Sequence, residues 1–443
     1  MLLAYLIIII ALVLLLYDYR SGIITSLMVI TNFGEFIYVN PNLEIGDFGG
    51  FGTIYFMDFF WLAMIIVVLM KRHNLYLLNY KLSFIILIIL CITSLIIPFL
   101  ITSFSIKDSV SVIRPLRNFL FVPYLVLTVT DIKKFNFLEK TITSLVFIFI
   151  VVQVYEYITQ TRIPFNLIEN ENLFFGEDTY SLEFSGVKTG YIWTRIAVIL
   201  PFNLFFGCYY YFTDKKHYGL LLIALYLLSI MIALSRIWII GFAFFVIILS
   251  GFLLIKSYKG NKIRLKLFTL IGSFAAVGAI LFFTSSTFNQ IFDIFLLRVN
   301  SINDLADKTD SSFLGREYIL LQMLSVWMEY PIFGAGFSSI SRRLITNDLG
   351  FPNIITIFGA AGLVMIFVFM KQFYDNIIPL MKNDYVLFIS LASVMLMITF
   401  MSIFSIDMFY FNAPGALLFA FGNIIFNIAK YQPEENAGYI HAT

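Results

Sequence analysis

Runs of about 20 apolar residues, the length that crosses a bilayer core, recur from one end of this chain to the other. The first is MLLAYLIIIIALVLLL at residues 1–16. Candidate spans fall at roughly 1–17, 22–39, 51–70, 82–101, 109–130, 140–159, 189–211, 218–234, 237–255, 267–285, 353–371, 385–406 and 413–430. The second contains Gly34 and Glu35, so the count is 12 or 13. A soluble domain carries about 25% charged residues. Here the figure is 13%, with 60% hydrophobic residues. Such a chain cannot coat itself in polar groups, and the fold expected is an all-α, polytopic integral membrane protein. The first run lacks a basic flank and a small-residue cleavage site, so it reads as a retained helix. Cys91 and Cys208 both lie in apolar runs and carry no redox or metal signal. The net charge of +2 leaves no footprint for nucleic acid. No clear repeat relates the two halves, which argues against an inverted-repeat transporter.

Lysine sets the orientation. Lys71, Lys133, Lys134, Lys215, Lys216, Lys256, Lys259, Lys262, Lys266, Lys371 and Lys382 fall in short loops after alternate spans. The positive-inside rule makes those loops cytoplasmic. The loops left outside are about 40–50, 102–108, 160–188, 286–352 and 407–412. The expected organisation is an N-terminal bundle at 1–285, a long outer loop at 286–352, C-terminal spans at 353–430 and a cytoplasmic tail at 431–443.

Arginine, which played no part in that assignment, sorts differently. Arg20, Arg72 and Arg264 accompany the lysines. Arg114, Arg117, Arg162, Arg195, Arg236, Arg298, Arg316, Arg342 and Arg343 fall in outer loops or at outer helix ends. Insertion alone would treat the two residue types alike. Arginine differs in its planar fork, which holds phosphate or carboxylate through two parallel hydrogen bonds. The outer face therefore reads as a place that holds an anion. Arg114 and Arg117 are spaced to share one helix face. Single arginines near helix ends also snorkel to headgroups, so the signal lies in their number.

The outer loop has its own order. Within SSFLGREYILLQMLSVWMEYPIFGAGFSSI, Ser311 or Ser312 caps a helix, and Ile319, Leu320, Met323, Leu324 and Trp327 supply an apolar face. The helix ends before Pro331, and Gly334 and Gly336 make a tight turn. An amphipathic helix at the outer membrane boundary is the expectation. Further on, NDLGFPNIITIFGAAGLV enters the next span. Asp348 there reads either as the cap of that span or as a group that orients or deprotonates a substrate hydroxyl. Gly350, Gly359 and Gly362 allow close backbone approach. Glu44 and Asp47 are a weak metal pair and read better as a solvated loop.

The sequence order SRIWIIGF, GREYILLQMLSVWMEYPIFGAGF and NDLGFPNIITIFGAAGLV, with DFFWLAMIIVVLMKRHN early in the chain, resembles the O-antigen polymerase and ligase superfamily. The final element is similar to the polymerase version. The ligase version has a His-Asn pair at that helix entry, where this chain has Pro352 and Asn353, and its histidines are His73, His217 and His441. The resemblance implies a glycosyltransferase of the C-type fold in the inner membrane, with its active site facing the periplasm. It implies a substrate of undecaprenyl-pyrophosphate-linked oligosaccharide, held among membrane lipid, and no nucleotide cofactor, while the sequence itself offers no compelling metal cluster. A chain-length regulator and a flippase are implied partners. A growing glycan passes from its lipid pyrophosphate to the non-reducing end of a new lipid-linked unit. The residues assigned on this basis are Asp348, Arg195 and Arg236 for catalysis. Arg114, Arg117, Arg195, Arg236, Arg316, Arg342 and Arg343 are assigned to pyrophosphate, and Glu329, Asn347 and Asn353 to sugar. A ligase-type glycan transferase, or a lipid-linked sugar flippase, is the alternative.

Overall fold

The computed structural model describes residues 2–31, 44–47, 53–159, 183–184, 187–188, 199–213, 215–233, 236–255, 311–345, 349–404, 409 and 414–431. The architecture is all-α and polytopic. Among the described residues five helical segments are long and apolar enough to cross a membrane: Lys81–Leu100, Ile106–Thr128, Ile132–Tyr155, Gly350–Asn383 and Tyr385–Ile403. Shorter apolar helices occupy Tyr19–Ile30, Asp58–Met70, Lys216–Ile232 and Ile237–Leu253. The expected span at 267–285, residues 286–310 of the loop expected at 286–352 and residues 160–182 of the loop expected at 160–188 lie outside the described residues, as does the tail from 432 onward.

The chain divides into two compact units. The first comprises 1–141, 314–379 and 399–442. It opens with helices α1 (Leu2–Tyr17) and α2 (Tyr19–Ile30). Asp18 separates them, its carboxylate accepting from the N–H groups of Arg20 and Ser21. Helix α2, of 12 residues, is about 18 Å long, and residues 32–39 of the span expected at 22–39 lie outside the described residues. A hairpin, β1 (Glu44–Asp47) against β2 (Thr53–Tyr55), then leads straight into α3 (Phe56–Met70). The loop expected around Glu44 and Asp47 is thus a strand, and a second short hairpin pairs Glu183–Phe184 with Val187–Lys188. After a 3₁₀ turn at Arg72–Leu77 come α4 (Lys81–Leu100), α5 (Ile106–Ile113), a 3₁₀ stretch at Arg114–Leu120, and α6 (Phe121–Thr128).

Helix α4 shows which solvent surrounds this unit. Ser83, Leu87, Leu90, Ser94 and Pro98 form its buried stripe. Ile85, Ile88, Ile89, Ile92, Ile96 and Phe99 are exposed. Small and polar groups face protein while isoleucines face outward, the arrangement that lipid favours. At the opposite extreme, Pro414–Tyr431 is buried almost all round. Its Phe419 stacks on Phe369 at 5.1 Å. Phe369 in turn meets Phe119 at 5.3 Å and Tyr80 at 5.8 Å, which makes an aromatic core.

The two ends of this unit carry different cations. At one end Lys71 Nζ donates to Thr128 Oγ1 at 3.0 Å. At the other, Arg114 and Arg117 meet Asp58. Both pairs link α3 to the α5–α6 segment, so these two run parallel. That is the consequence expected if α4 returns the chain across the membrane between them.

The second unit comprises 142–313 and 380–398. It takes in helix α7 (Ile132–Thr159) from Ile142 onward, where Gln153 exchanges two hydrogen bonds with Ser229, at 3.1 Å and 2.8 Å. Helices α8 (Leu200–Phe212) and α9 (Lys216–Ala233) pack closely because Gly207 and Gly219 lie at their contact. Asn203 Nδ2 donates to the Leu222 carbonyl at 2.6 Å. Helix α10 covers Arg236–Ile255.

Returning to the first unit, α11 covers Ser311–Glu329, with its first residues at the unit boundary. Its start and its end before Pro331 are those expected. Met323 is buried, Ile319, Leu320 and Trp327 are half-buried, while Leu324 is exposed with Tyr318, Leu321 and Met328. The short helix α12 (Ser339–Leu344) and the long helix α13 (Gly350–Ile377) follow.

Helix α13 is broken at Gly359, whose φ of 59° and ψ of −152° approach a region essentially restricted to glycine. The break is filled by the turn after α11. Ala335 N–H donates to the Thr356 carbonyl at 2.9 Å and Gly336 N–H to Ile357 at 3.0 Å. In exchange Ala360 N–H donates to Pro331 at 2.9 Å and Ala361 N–H to Ile332 at 3.0 Å. The two partners are copies of one tetrapeptide, Ile-Phe-Gly-Ala at 332–335 and 357–360. Both glycines have positive φ. A Cβ on Gly334 would lie 2.6 Å from the Ile357 backbone, and one on Gly359 would lie 2.5 Å from the Ile332 backbone. The repeat is too short to stand out in the sequence, yet it makes a near two-fold clasp. A fifth bond ties the clasp to α4. Pro98 has no N–H to offer the Ser94 carbonyl, and Phe337 N–H takes that acceptor at 2.8 Å.

Candidate functional site

The best-defined charged cluster builds from the start of α3. Tyr55 ends the hairpin, and its N–H donates to Asp58 Oδ2 at 3.0 Å. This holds the carboxylate in the first turn of α3, where the helix dipole favours a negative charge. Across from it the α5–α6 segment turns 3₁₀ at Pro115. A 3₁₀ helix has three residues per turn, so Arg114 and Arg117 eclipse one another. Both reach Asp58. Arg114 Nε donates to Oδ1 at 3.3 Å and its Nη2 to Oδ2 at 3.1 Å. Arg117 Nη1 donates to Oδ1 at 3.2 Å. The Arg114 guanidinium lies 4.5 Å over the Tyr55 ring and that of Arg117 5.9 Å from Trp61. These side chains are 18–30% exposed, so they are shielded but reachable. Two positive charges against one negative leave the trio net positive by one.

This cluster is continuous with the outer loop's return. Ser109 Oγ, on α5, donates to the Phe337 carbonyl at 2.5 Å. Ser339 Oγ, at the start of α12, donates to Asp108 Oδ2 at 2.7 Å. Arg114 follows Asp108 by six residues, about 9 Å of helical rise. Arg342 and Arg343 occupy the last turn of α12 and are exposed. Cations there complement the helix C-terminus.

The other expected site residues are placed as follows. Arg316 is half-buried near the start of α11. Glu329, at its end, is exposed, and its carboxylate accepts from the Tyr330 hydroxyl at 2.7 Å. Asn353 is fully buried in the first turn of α13. That helix begins at Gly350 with Leu349 as its N-terminal flank and no side-chain cap. Gly350 is pressed against the Ser402 backbone, which is the close approach expected of it. Arg236 is the first residue of α10, in the second unit. Arg195, Asn347 and Asp348 lie outside the described residues. The structure thus brings Arg114 and Arg117 together as their spacing implied, but around Asp58, which sequence reasoning passed over. A signal was there: DFFWLAMIIVVLM carries one carboxylate at the head of an otherwise uncharged apolar helix, and such a residue is functional by default. Among the described residues no group of three His, Cys, Asp or Glu side chains is arranged to hold a metal ion.

A multi-pass membrane protein with an arginine-bearing end and a lysine-bearing end is the class these features define. Residues 221–356 match the family model described as O-antigen ligase. The match is consistent with the resemblance to the O-antigen polymerase and ligase superfamily. It covers Arg236, α11, the 331–337 side of the clasp and α12, and it is consistent with an O-antigen-related glycan transferase. No curated protein matches the chain.

Proposed function

We propose that the protein is an O-antigen-type polysaccharide polymerase. It moves a growing glycan from undecaprenyl pyrophosphate onto the non-reducing end of a new lipid-linked repeat unit at the outer face of the membrane. The observation that carries this reading is the match over 221–356, within which fall Arg236, Arg316, Arg342, Arg343, Asp348 and Asn353. The polymerase is preferred to the ligase because Pro352 and Asn353 stand at the helix entry where the ligase resemblance requires a histidine.

In the reaction the acceptor hydroxyl attacks the anomeric carbon and the bond to the pyrophosphate oxygen breaks. Negative charge grows on the leaving group. Guanidinium groups fixed in a shielded site stabilise that charge without having to reorganise. Arg195 and Arg236 hold the leaving pyrophosphate. Arg114, Arg117, Arg316, Arg342 and Arg343 supply the surrounding field. Asp348 orients the acceptor hydroxyl or takes its proton. Glu329, Asn347 and Asn353 contact sugar.

The test is a gel of surface glycans from cells lacking the chain. A surface bearing single repeat units in place of a ladder is the expected result. A full ladder left on the polyprenyl lipid would assign ligase activity instead, and an unchanged ladder on the surface would reject both.

A further inference from the structure

We propose that Asp58 is a positioning residue of the anion site, holding Arg114 and Arg117 together so that they act on one phosphate-bearing ligand as a unit. The inference rests on the reading that these arginines face a pyrophosphate. Two eclipsed guanidiniums on one 3₁₀ face repel each other, and in a shielded site little solvent screens them. Without a counter-charge their long side chains splay. Asp58 removes that repulsion. Both of its oxygens engage Arg114 and one of them also engages Arg117. Tyr55 N–H fixes the carboxylate from behind. The Tyr55 ring also lies under the Arg114 guanidinium, so the hairpin and the start of α3 act as the mould for both arginines. Within the trio two positive charges meet one negative charge. An uncompensated pair would not keep its geometry. Asp58 lies outside the matched stretch at 221–356.

The full-length protein in detergent is titrated with inorganic pyrophosphate by calorimetry, and KM and kcat are measured with lipid-linked repeat units. Asp58→Asn should weaken pyrophosphate binding by about tenfold, as expected when a bidentate charged geometry is lost. KM should rise in step while kcat changes little. Asp58→Glu, which keeps the carboxylate, should recover most of the affinity. Pyrophosphate binding by Asp58→Asn as tight as wild type, or tighter, would overturn the proposal, since Asp58 would then only compete with the ligand. The variant Asp58→Asn/Arg117→Gln removes one charge of each sign and keeps the net charge, so it decides the matter should the single variant not fold. Weaker binding than wild type is expected of it. Wild-type affinity would show that only the net field matters. Arg114→Gln/Arg117→Gln separates this from the underlying reading. Unchanged pyrophosphate binding there would mean that these arginines hold no phosphate at all.

Discussion

Arg114 and Arg117 eclipse one another on one 3₁₀ face, and Asp58 relieves their mutual repulsion. An arginine pair held in this way suits an anionic ligand. Charge alone does not satisfy such a site. Arg236→Lys keeps the cation and removes the two-pronged fork, so glycan chain formation should fall at least about tenfold while the protein still inserts. A glycan ladder of near-normal length from cells carrying this variant would show that a positive field is enough.

At the scale of elements, the clasp between 331–337 and the break in α13 decides where the outer loop returns to the bundle. Backbone cannot be left unpaired at membrane depth, and α13 interrupts its ladder at Gly359. The clasp supplies four replacement bonds and anchors the segment from which α12 projects Arg342 and Arg343. Gly359→Ala places a Cβ against the Ile332 backbone and forces a positive φ on an L-residue. Strain of that kind costs about 1–3 kcal/mol, before any clash is counted. The unfolding midpoint of the variant in detergent should drop clearly. Its loss should be far larger than that of alanine at Gly315, where an added Cβ meets nothing within 4 Å. Equal midpoints for the two variants would mean that the clasp contributes nothing.

For the whole molecule the arginine end and the lysine end have to face opposite sides of the membrane. Lysine in short loops sets the direction, so the end bearing Thr102 and Lys107 is expected outside and the end bearing Lys71 and Asp131 in the cytoplasm. Single cysteines at Lys107 and at Asp131, in a chain with Cys91 and Cys208 replaced by serine, should report this through an impermeant maleimide. Right-side-out vesicles should label the first and inverted vesicles the second. The reverse pattern would move the site to the cytoplasmic face and remove the polymerase reading.

The membrane class and most of the helix limits were legible in the sequence, because lipid imposes length and polarity on each segment separately. The pairing of Arg114 with Arg117 was legible too, as a local spacing. Asp58 was not read as their partner, although it stands in plain view at the head of α3, because their contact depends on α3 and the α5–α6 segment running side by side. The clasp was hidden for the same reason. Ile-Phe-Gly-Ala occurs twice in the chain, but only tertiary structure sets one copy against the other, and only there does each glycine meet the backbone that excludes a side chain.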